Sequence, residues 1–382
     1  MLELLCLSDL HLGETYSYLD GSRWDWDDSN QAALEPFYRG VALLDGLQRG
    51  DEPRVRVRDL VLLGDIFELG TATIDQASRS GAKFFEWLFL WLLPDRVIYV
   101  PGNHDHVFWM WWCAPPPEGG PPWWESEPGA VEQALSEAYA DCGTKASHPD
   151  RPEAAEGKPW REALLTRFFG SLLDPSRFRL AYPVYTGPHC GPPGFRGRPF
   201  RSLYTHGHMN DPMFVNPGGL VDRVMHGLSP NPEEADLATL ERAEETTWRF
   251  THRWWYPAEK GSSLKEWLYL CSIPFEKGHA CVHRGTSPGR YTREPAPELG
   301  EPDRDALDFH NLIRAAAPGE AFLEPTIYVY GHTHNGGAMP VEPSLLLYNT
   351  GGWLSNVTDD PKHTHLFGID AGGTAKMVRV TY

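Results

Sequence analysis

Leu60-Val61-Leu62-Leu63-Gly64-Asp65-Ile66-Phe67-Glu68 is an apolar run that ends on a glycine and a carboxylate. Such a run, bounded by glycine, predicts a buried strand, and the glycine permits a sharp turn at its end. Asp65 then faces the crevice beyond the strand, where open α/β sheets bind their ligands. It is the candidate for a metal ligand shared between two ions. Four further apolar runs end in the same way. Leu2 to Leu7 leads into Ser8-Asp9-Leu10-His11, and Val97 to Val100 into Pro101-Gly102-Asn103-His104-Asp105. Leu203 to Thr205 leads into His206-Gly207-His208, and Ile327 to Tyr330 into Gly331-His332-Thr333-His334. One polar group at a strand tip is ordinary. Five tips carrying Asp, Asn or His imply a common site.

The stretches between the first three tips supply the connections. Leu34, Phe37, Val41, Leu44 and Leu47 recur at helical spacing, which predicts a helix over Gln31 to Leu47 with Pro36 near its start. Residues 14–30 read as a loop over the site, and 49–58 as a charged, turn-rich segment. Lys83 to Leu93 predicts a second helix, stopped by Pro94. Strand, helix, strand, helix, strand is the pattern of a parallel sheet with right-handed crossovers.

Past Asp105 the rhythm breaks. Segments dense in Pro, Gly and Glu alternate with short amphipathic stretches at 130–141 and 161–173. A connection of this length is too long for a plain loop. The chain therefore reads as a single domain over 1–382, with insertions at 107–200 and 212–324 forming a cap. Near the end, residues 345–348, 364–369 and 376–381 read as strands, the last two joined through Gly372-Gly373 as a hairpin. Asn349 to Trp353 reads as a tight turn that packs these strands.

Composition narrows the function. A net charge of -18 disfavours nucleic acid, because phosphate-backbone binding needs clustered Lys and Arg. The six cysteines contain no C-x-x-C pair, which points to reduced thiols and a cytoplasmic setting. The first strand begins at Leu2, so no secretory signal is expected. The longest apolar stretch, Phe84 to Leu93, contains Glu86 and falls well short of the ~20 residues a membrane span needs. Tryptophan clusters at 109–112, 123–124 and 254–255 leave peripheral membrane contact open. They could also line a cap that grips an acyl chain or base, against the plainer reading of a core for the insertion.

Asp9-x-His11, Gly64-Asp65-x-x-Glu68, Gly102-Asn103-His104-Asp105, His206-Gly207-His208 and Gly331-His332-x-His334, in that order, resemble the calcineurin-like metallophosphoesterases. In wording, Ser8 to Gly13 and Gly64 to Glu68 look most like the branch that contains UDP-2,3-diacylglucosamine hydrolases. The resemblance implies an α/β fold, a two-sheet α/β/β/α metallophosphoesterase sandwich. It implies a dinuclear site in which Asp9, His11 and His334 join Asp65 on one ion, and Asn103, His206 and His332 join it on the other. It also makes His104 the group that protonates the leaving group or steadies the phosphoryl charge, with Asp105 orienting it. Glu68, His208 and Asp211 stand as weaker candidates.

The residue types agree with two divalent ions on their own account. Carboxylate, imidazole and amide oxygen together suit Mn, Fe or Zn better than Ca, which takes oxygen ligands. A pair of such ions about 3.5–4 Å apart provides a hydroxide nucleophile and a clamp on phosphoryl oxygens. The function expected is therefore hydrolysis of a phosphoester or diphosphate on a small-molecule or lipid-linked substrate. Arg161, Arg167, Arg177, Arg196, Arg198 and Arg201 are candidates for binding a substrate phosphate, against the plainer reading of a solvated face. Rival readings are hydrolysis of a UDP-sugar lipid diphosphate, a nuclease, and an inert scaffold with the same fold. The oligomeric state stays open.

Overall fold

The computed structural model describes residues 1–14, 17, 19, 28–46, 54–70, 72–113, 152–182, 184–208, 325–332, 334, 336–342, 344–353 and 363–381, with isolated positions between 115 and 125. Its twelve described strands form two sheets. The first has seven strands in the order β12 (Ala375–Thr381), β11 (His363–Asp370), β1 (Leu2–Leu7), β2 (Val55–Leu62), β3 (Leu92–Tyr99), β5 (Phe178–Leu180) and β4 (Glu153–Ala154). The second has five, in the order β6 (Tyr185–Cys190), β7 (Phe200–Tyr204), β8 (Thr326–Tyr330), β10 (Leu345–Asn349) and β9 (Gly337–Glu342). This is a mixed α/β two-sheet sandwich, as the motifs implied.

Period-two alternation divides each strand of the first sheet between two cores. Leu5 and Leu7 of β1, Leu60 and Leu62 of β2, and Val97 and Tyr99 of β3 face the helices. Leu4 and Cys6, Val61, and Ile98 face Tyr204, Ile327, Val329 and Tyr348 of the second sheet. Being buried on both faces is what makes these strands read as continuous apolar runs. On the helical side, α1 (Asp28–Asp45) packs on β11 and β12, and α2 (Ile74–Trp91) on β3. Two further helices, α3 (His106–Cys113) and α4 (Pro159–Phe169), fill the same layer. The helical layer expected beyond the second sheet lies outside the described residues.

Several boundaries differ from the sequence reading. Helix α1 begins at Asp28, so Pro36 is interior and removes one i→i−4 hydrogen bond. Helix α2 begins nine residues before Lys83. A capping box between Thr73 and Gln76 starts it, and its small residues Ala77, Ser78, Ser80 and Gly81 are buried, which hid the helical period. Pro94 lies within β3 rather than ahead of it. It pairs with Val57 of β2, whereas β5 joins β3 only at Val97 to Tyr99, so no partner on that side needs the missing N–H. Strand β2 starts at Val55, where Val55 and Val57 are buried and Arg56 is exposed.

The expected cap at 107–200 needs correction for its described residues. Helices α3 and α4 join the main apolar cluster, β5 extends the first sheet beside β3, and β6 and β7 begin the second. The reason is aromatic burial. Phe108, Trp112, Phe168, Phe169 and Phe178 are all within the core, and Phe67 at the β2 tip packs its ring 5.0 Å from Phe168 and 5.2 Å from Phe169. Truncating a phenylalanine packed in this way costs about 3–5 kcal/mol, so these residues anchor the tip that carries Asp65. Residues 130–141, Trp123, Trp124, Trp254, Trp255 and the whole second insertion at 212–324 lie outside the described residues.

Candidate metal centre

Strands β1, β2 and β3 are parallel neighbours, so the segments after them leave one edge of the first sheet together. Strands β7 and β8 are parallel neighbours in the second sheet and bring His206, His332 and His334 to the same place. Gly64, at φ +73°, makes this approach possible, because a Cβ there would collide with the His206 ring.

Backbone strain marks the site independently of residue type. Among the described residues, the non-glycine positions with positive φ are Asp9 (51°), His11 (48°), Asp65 (49°), His332 (67°) and His334 (58°). Such conformations are uncommon outside glycine and persist only where the surroundings impose them. All five belong to the seven predicted ligands.

The predicted ligands converge. Asp9, His11 and His334 form one buried group whose ligand atoms lie within 4.8 Å of one another, and Asp65, His206 and His332 form another. A third group, His11, Asp65 and His104, joins them. His334 Nε2 lies 3.3 Å from Asp9 Oδ1 and 3.3 Å from His11 Nε2. His206 Nε2 lies 3.2 Å from Asp65 Oδ2 and 3.2 Å from Asn103 Oδ1. Bonds of about 2.1 Å to a shared ion space neighbouring ligand atoms about 3.0–3.4 Å apart, so this donor set fits divalent ions. Asp65 Oδ1 accepts from the His104 N–H at 2.8 Å, which leaves Oδ2 facing His206, His11 (3.8 Å) and His104 (3.9 Å).

A surrounding set of hydrogen bonds aims the rings. The His206 Nδ1–H donates to the Leu63 carbonyl at 3.0 Å, turning Nε2 inward. Glu68 accepts from Nδ1 of His11 at 2.9 Å and from Nδ1 of His104 at 2.8 Å, so one buried carboxylate orients both imidazoles. Sequence reasoning placed Glu68 among the weaker candidates; its only signal was its place three residues after Asp65. The assignment of Asp105 is corrected. Its carboxylate accepts from the backbone N–H groups of Gly102 (2.6 Å) and Ile66 (2.8 Å) and from the Tyr99 hydroxyl (2.5 Å), and Glu68 orients His104 instead. Asp105 therefore holds the two turns together, because unpaired N–H groups in a buried turn are costly.

The remaining candidates separate. His208 is buried beside His206, with ring centroids 5.5 Å apart, but the Tyr182 hydroxyl, 3.1 Å from His208 Nε2, also reaches His106 at 3.1 Å. His208 belongs to none of the ligand groups. The aromatic run Phe108 to Trp112 is core. Arg161 bonds to the carbonyls of Trp112 and Ala154, and Arg167 pairs with Asp75. Arg177 reaches Asp174. Asp211 lies outside the described residues.

Charge in the centre is balanced within it. Burial favours neutral Asp65, but the His206 and His104 rings reverse that and hold its carboxyl well below the usual range. Burial likewise works against charged His206, and the Asp65 carboxylate overrides it, raising the ring to about 9. A ligating imidazole must be neutral, so filling this position at neutral pH expels a proton. Affinity for a divalent ion should therefore rise with pH up to about 9. The metal-free protein should lose the stability this charge contributes as pH rises from about 6.5 to about 9. Calorimetric titration with Mn at pH 7.5, in buffers of different ionisation enthalpy, checks this. Binding without proton release would contradict it.

Comparison with known proteins bears on the first-sheet half of this centre. Residues 2–151 match the family model of the calcineurin-like phosphoesterases. The matched stretch contains Asp9, His11, Asp65, Asn103 and His104; His206, His332 and His334 lie beyond it and join through the fold. A dimetal phosphatase from Danio rerio aligns over 99% of this chain and 98% of its own, at 12% identity and a TM-score of 0.33, a likeness too slight to carry weight. No curated protein matches. Among the described residues, no helix is long and apolar enough to cross a membrane.

Proposed function

We propose that the chain is a metal-dependent phosphoesterase, with Asp9, His11, His334 and Asp65 holding one divalent ion and Asp65, Asn103, His206 and His332 the other. The observation that carries this reading is the position of Asp65 Oδ2, which faces His206 of one group at 3.2 Å and His11 of the other at 3.8 Å in a fully buried setting. The nitrogen-rich donor set favours Mn, Fe or Zn. When bound, such ions supply a nucleophile at neutral pH and neutralise charge on phosphoryl oxygens.

The chain's own contribution is orientation and proton transfer. His104, fixed through Nδ1 on Glu68, offers Nε2 to a phosphoryl oxygen or to the leaving group. His11, fixed on the same carboxylate, presents Nε2 to His334 and Asp65. Burial favours neutral Glu68, yet the two imidazoles hold it ionised well below the ordinary range. Glu68→Gln should therefore weaken metal binding about 10–100-fold and leave kcat reduced even at saturating Mn. Wild-type kcat at saturation would separate Glu68 from His104.

The substrate is a phosphoester or diphosphate on a small molecule or lipid, in a cytoplasmic protein that could touch a membrane surface. The buried thiols of Cys6 and Cys190 are consistent with a reducing compartment. The test is turnover of para-nitrophenyl phosphate, its bis ester and nucleotide diphosphate-linked lipids, with Mn and with a chelator. Chelator-sensitive turnover of any of them is expected. No turnover by protein carrying two ions would favour an inert scaffold. Preference for the lipid diphosphate would support the UDP-sugar lipid reading.

A further inference from the structure

Asn349-Thr350-Gly351-Gly352-Trp353, which runs on from the last residue of β10, is not among the candidate ligands, yet it is bonded to the Asp9 side of the centre at several points. The Trp353 N–H donates to the Asp9 carbonyl at 3.2 Å, and the Asp9 N–H donates to the Gly64 carbonyl at 3.0 Å. The left-handed backbone of Asp9 is therefore held on both sides by other strands. Ser8, immediately before it, places its hydroxyl 2.5 Å from the Thr350 hydroxyl and 3.3 Å from the Gly351 carbonyl.

Each hydroxyl also has a carbonyl within reach. Thr350 Oγ1 donates to the carbonyl of Tyr330, the last residue of β8, at 3.1 Å. The result is a hydrogen-bonded link from the end of β1, through the end of β10, to the end of β8, and both residues are 1% exposed. It crosses from one sheet to the other directly beneath Asp9. Thr350 is in turn fixed by its carbonyl, which accepts from the His365 N–H at 3.1 Å and the Thr364 hydroxyl at 3.2 Å. The strand ends it joins are in close contact. A Cβ on Gly331 would collide with the Asp9 carboxylate, and the His332 N–H donates to that carboxylate at 3.0 Å.

We propose that Ser8 and Thr350 are a positioning pair that holds the β1 tip against the second sheet and sets the affinity of the Asp9–His11–His334 ion position, leaving the other position largely unaffected. This rests on the two-ion reading of the centre. The selectivity follows from where the contacts fall. The segment bonds to Ser8 and Asp9, and its Gly352 lies against the His334 ring, so it meets two ligands of the first position. Toward the second position it bonds to the Tyr330 and Gly331 carbonyls ahead of His332, while His206 is oriented by Leu63 and Asn103.

The test is metal titration of the stripped full-length protein with Mn, read by calorimetry and by electron paramagnetic resonance. The wild type should bind two ions and give an exchange-coupled signal. Thr350→Val keeps the shape and removes the hydroxyl. It should hold one ion at wild-type affinity and bind the other about 10–100-fold more weakly, with an uncoupled six-line signal at limiting Mn. Thr350→Ser should restore both sites. Adding His206→Ala to Thr350→Val should abolish the retained ion. Ser8→Ala should reproduce the split, and decides the matter should Thr350→Val fail to fold. Two ions at wild-type affinity in a folded Thr350→Val protein would overturn the pair's role. Equal weakening of both positions would make it a general structural contact and overturn the proposal as well. A wild type that binds fewer than two ions would instead sink the reading of the centre itself.

Discussion

Asp65→Asn is expected to leave the protein unable to hold either ion, with each position weakened by more than about 10²-fold, beyond what loss of an outer hydrogen-bond partner costs. The substitution preserves shape and can keep the bond from the His104 N–H to Oδ1. What it removes is the anionic oxygen that faces His206, His11 and His104 together. Metal analysis after gel filtration reads the result directly. A second readout is independent of turnover. Ions that bind only the folded protein raise its melting temperature, and the centre draws ligands from both sheets, so the wild type should gain thermal stability with Mn while the variant should not. Two ions retained by Asp65→Asn would place the shared ligand elsewhere.

His104→Ala is expected to keep both ions and lower kcat by about 10²–10⁴-fold. The expectation is a sharp one, because His104 also falls within a group of metal-capable side chains with His11 and Asp65. The grouping favours the non-ligand role. Among the described residues His104 shares a group only with His11 and Asp65, whereas His11 also belongs to the Asp9–His334 group. The distance to Asp65 Oδ2 does not separate them, at 3.9 Å for His104 and 3.8 Å for His11. Metal content and kcat measured on the same preparation decide. Loss of an ion would make His104 a ligand, and wild-type kcat would remove it from the chemistry.

The convergence of the strand tips was legible along the chain. Each candidate ligand follows an apolar run, and a parallel strand buried on both faces has few other ways to be written. Helix α1 was legible within a few residues for a similar reason, since Phe37, Val41 and Leu44 repeat at the period of one buried face. Helix α2 was half hidden, because small buried residues carry no apolar period. The role of residues 107–200 was misread, since Pro and Gly density resembles an insertion. Short strands such as β5, three residues long, leave almost no pattern to read.

Residue types, their order and their place at strand ends were set by the sequence alone, and they suffice to name a donor set for divalent ions. The orientation of each side chain was decided by tertiary structure. Asp105 adjoins His104 in the chain, yet four donors in the buried turns claim its carboxylate, and Glu68, thirty-six residues away, takes the ring instead. Ser8 and Thr350, 342 residues apart, meet only because two sheets bring their strand ends together. Neighbours in sequence share a backbone, but the direction of a buried polar group is fixed by whichever donors and acceptors folding leaves within reach, and leaving one of them unpaired costs more than turning the side chain.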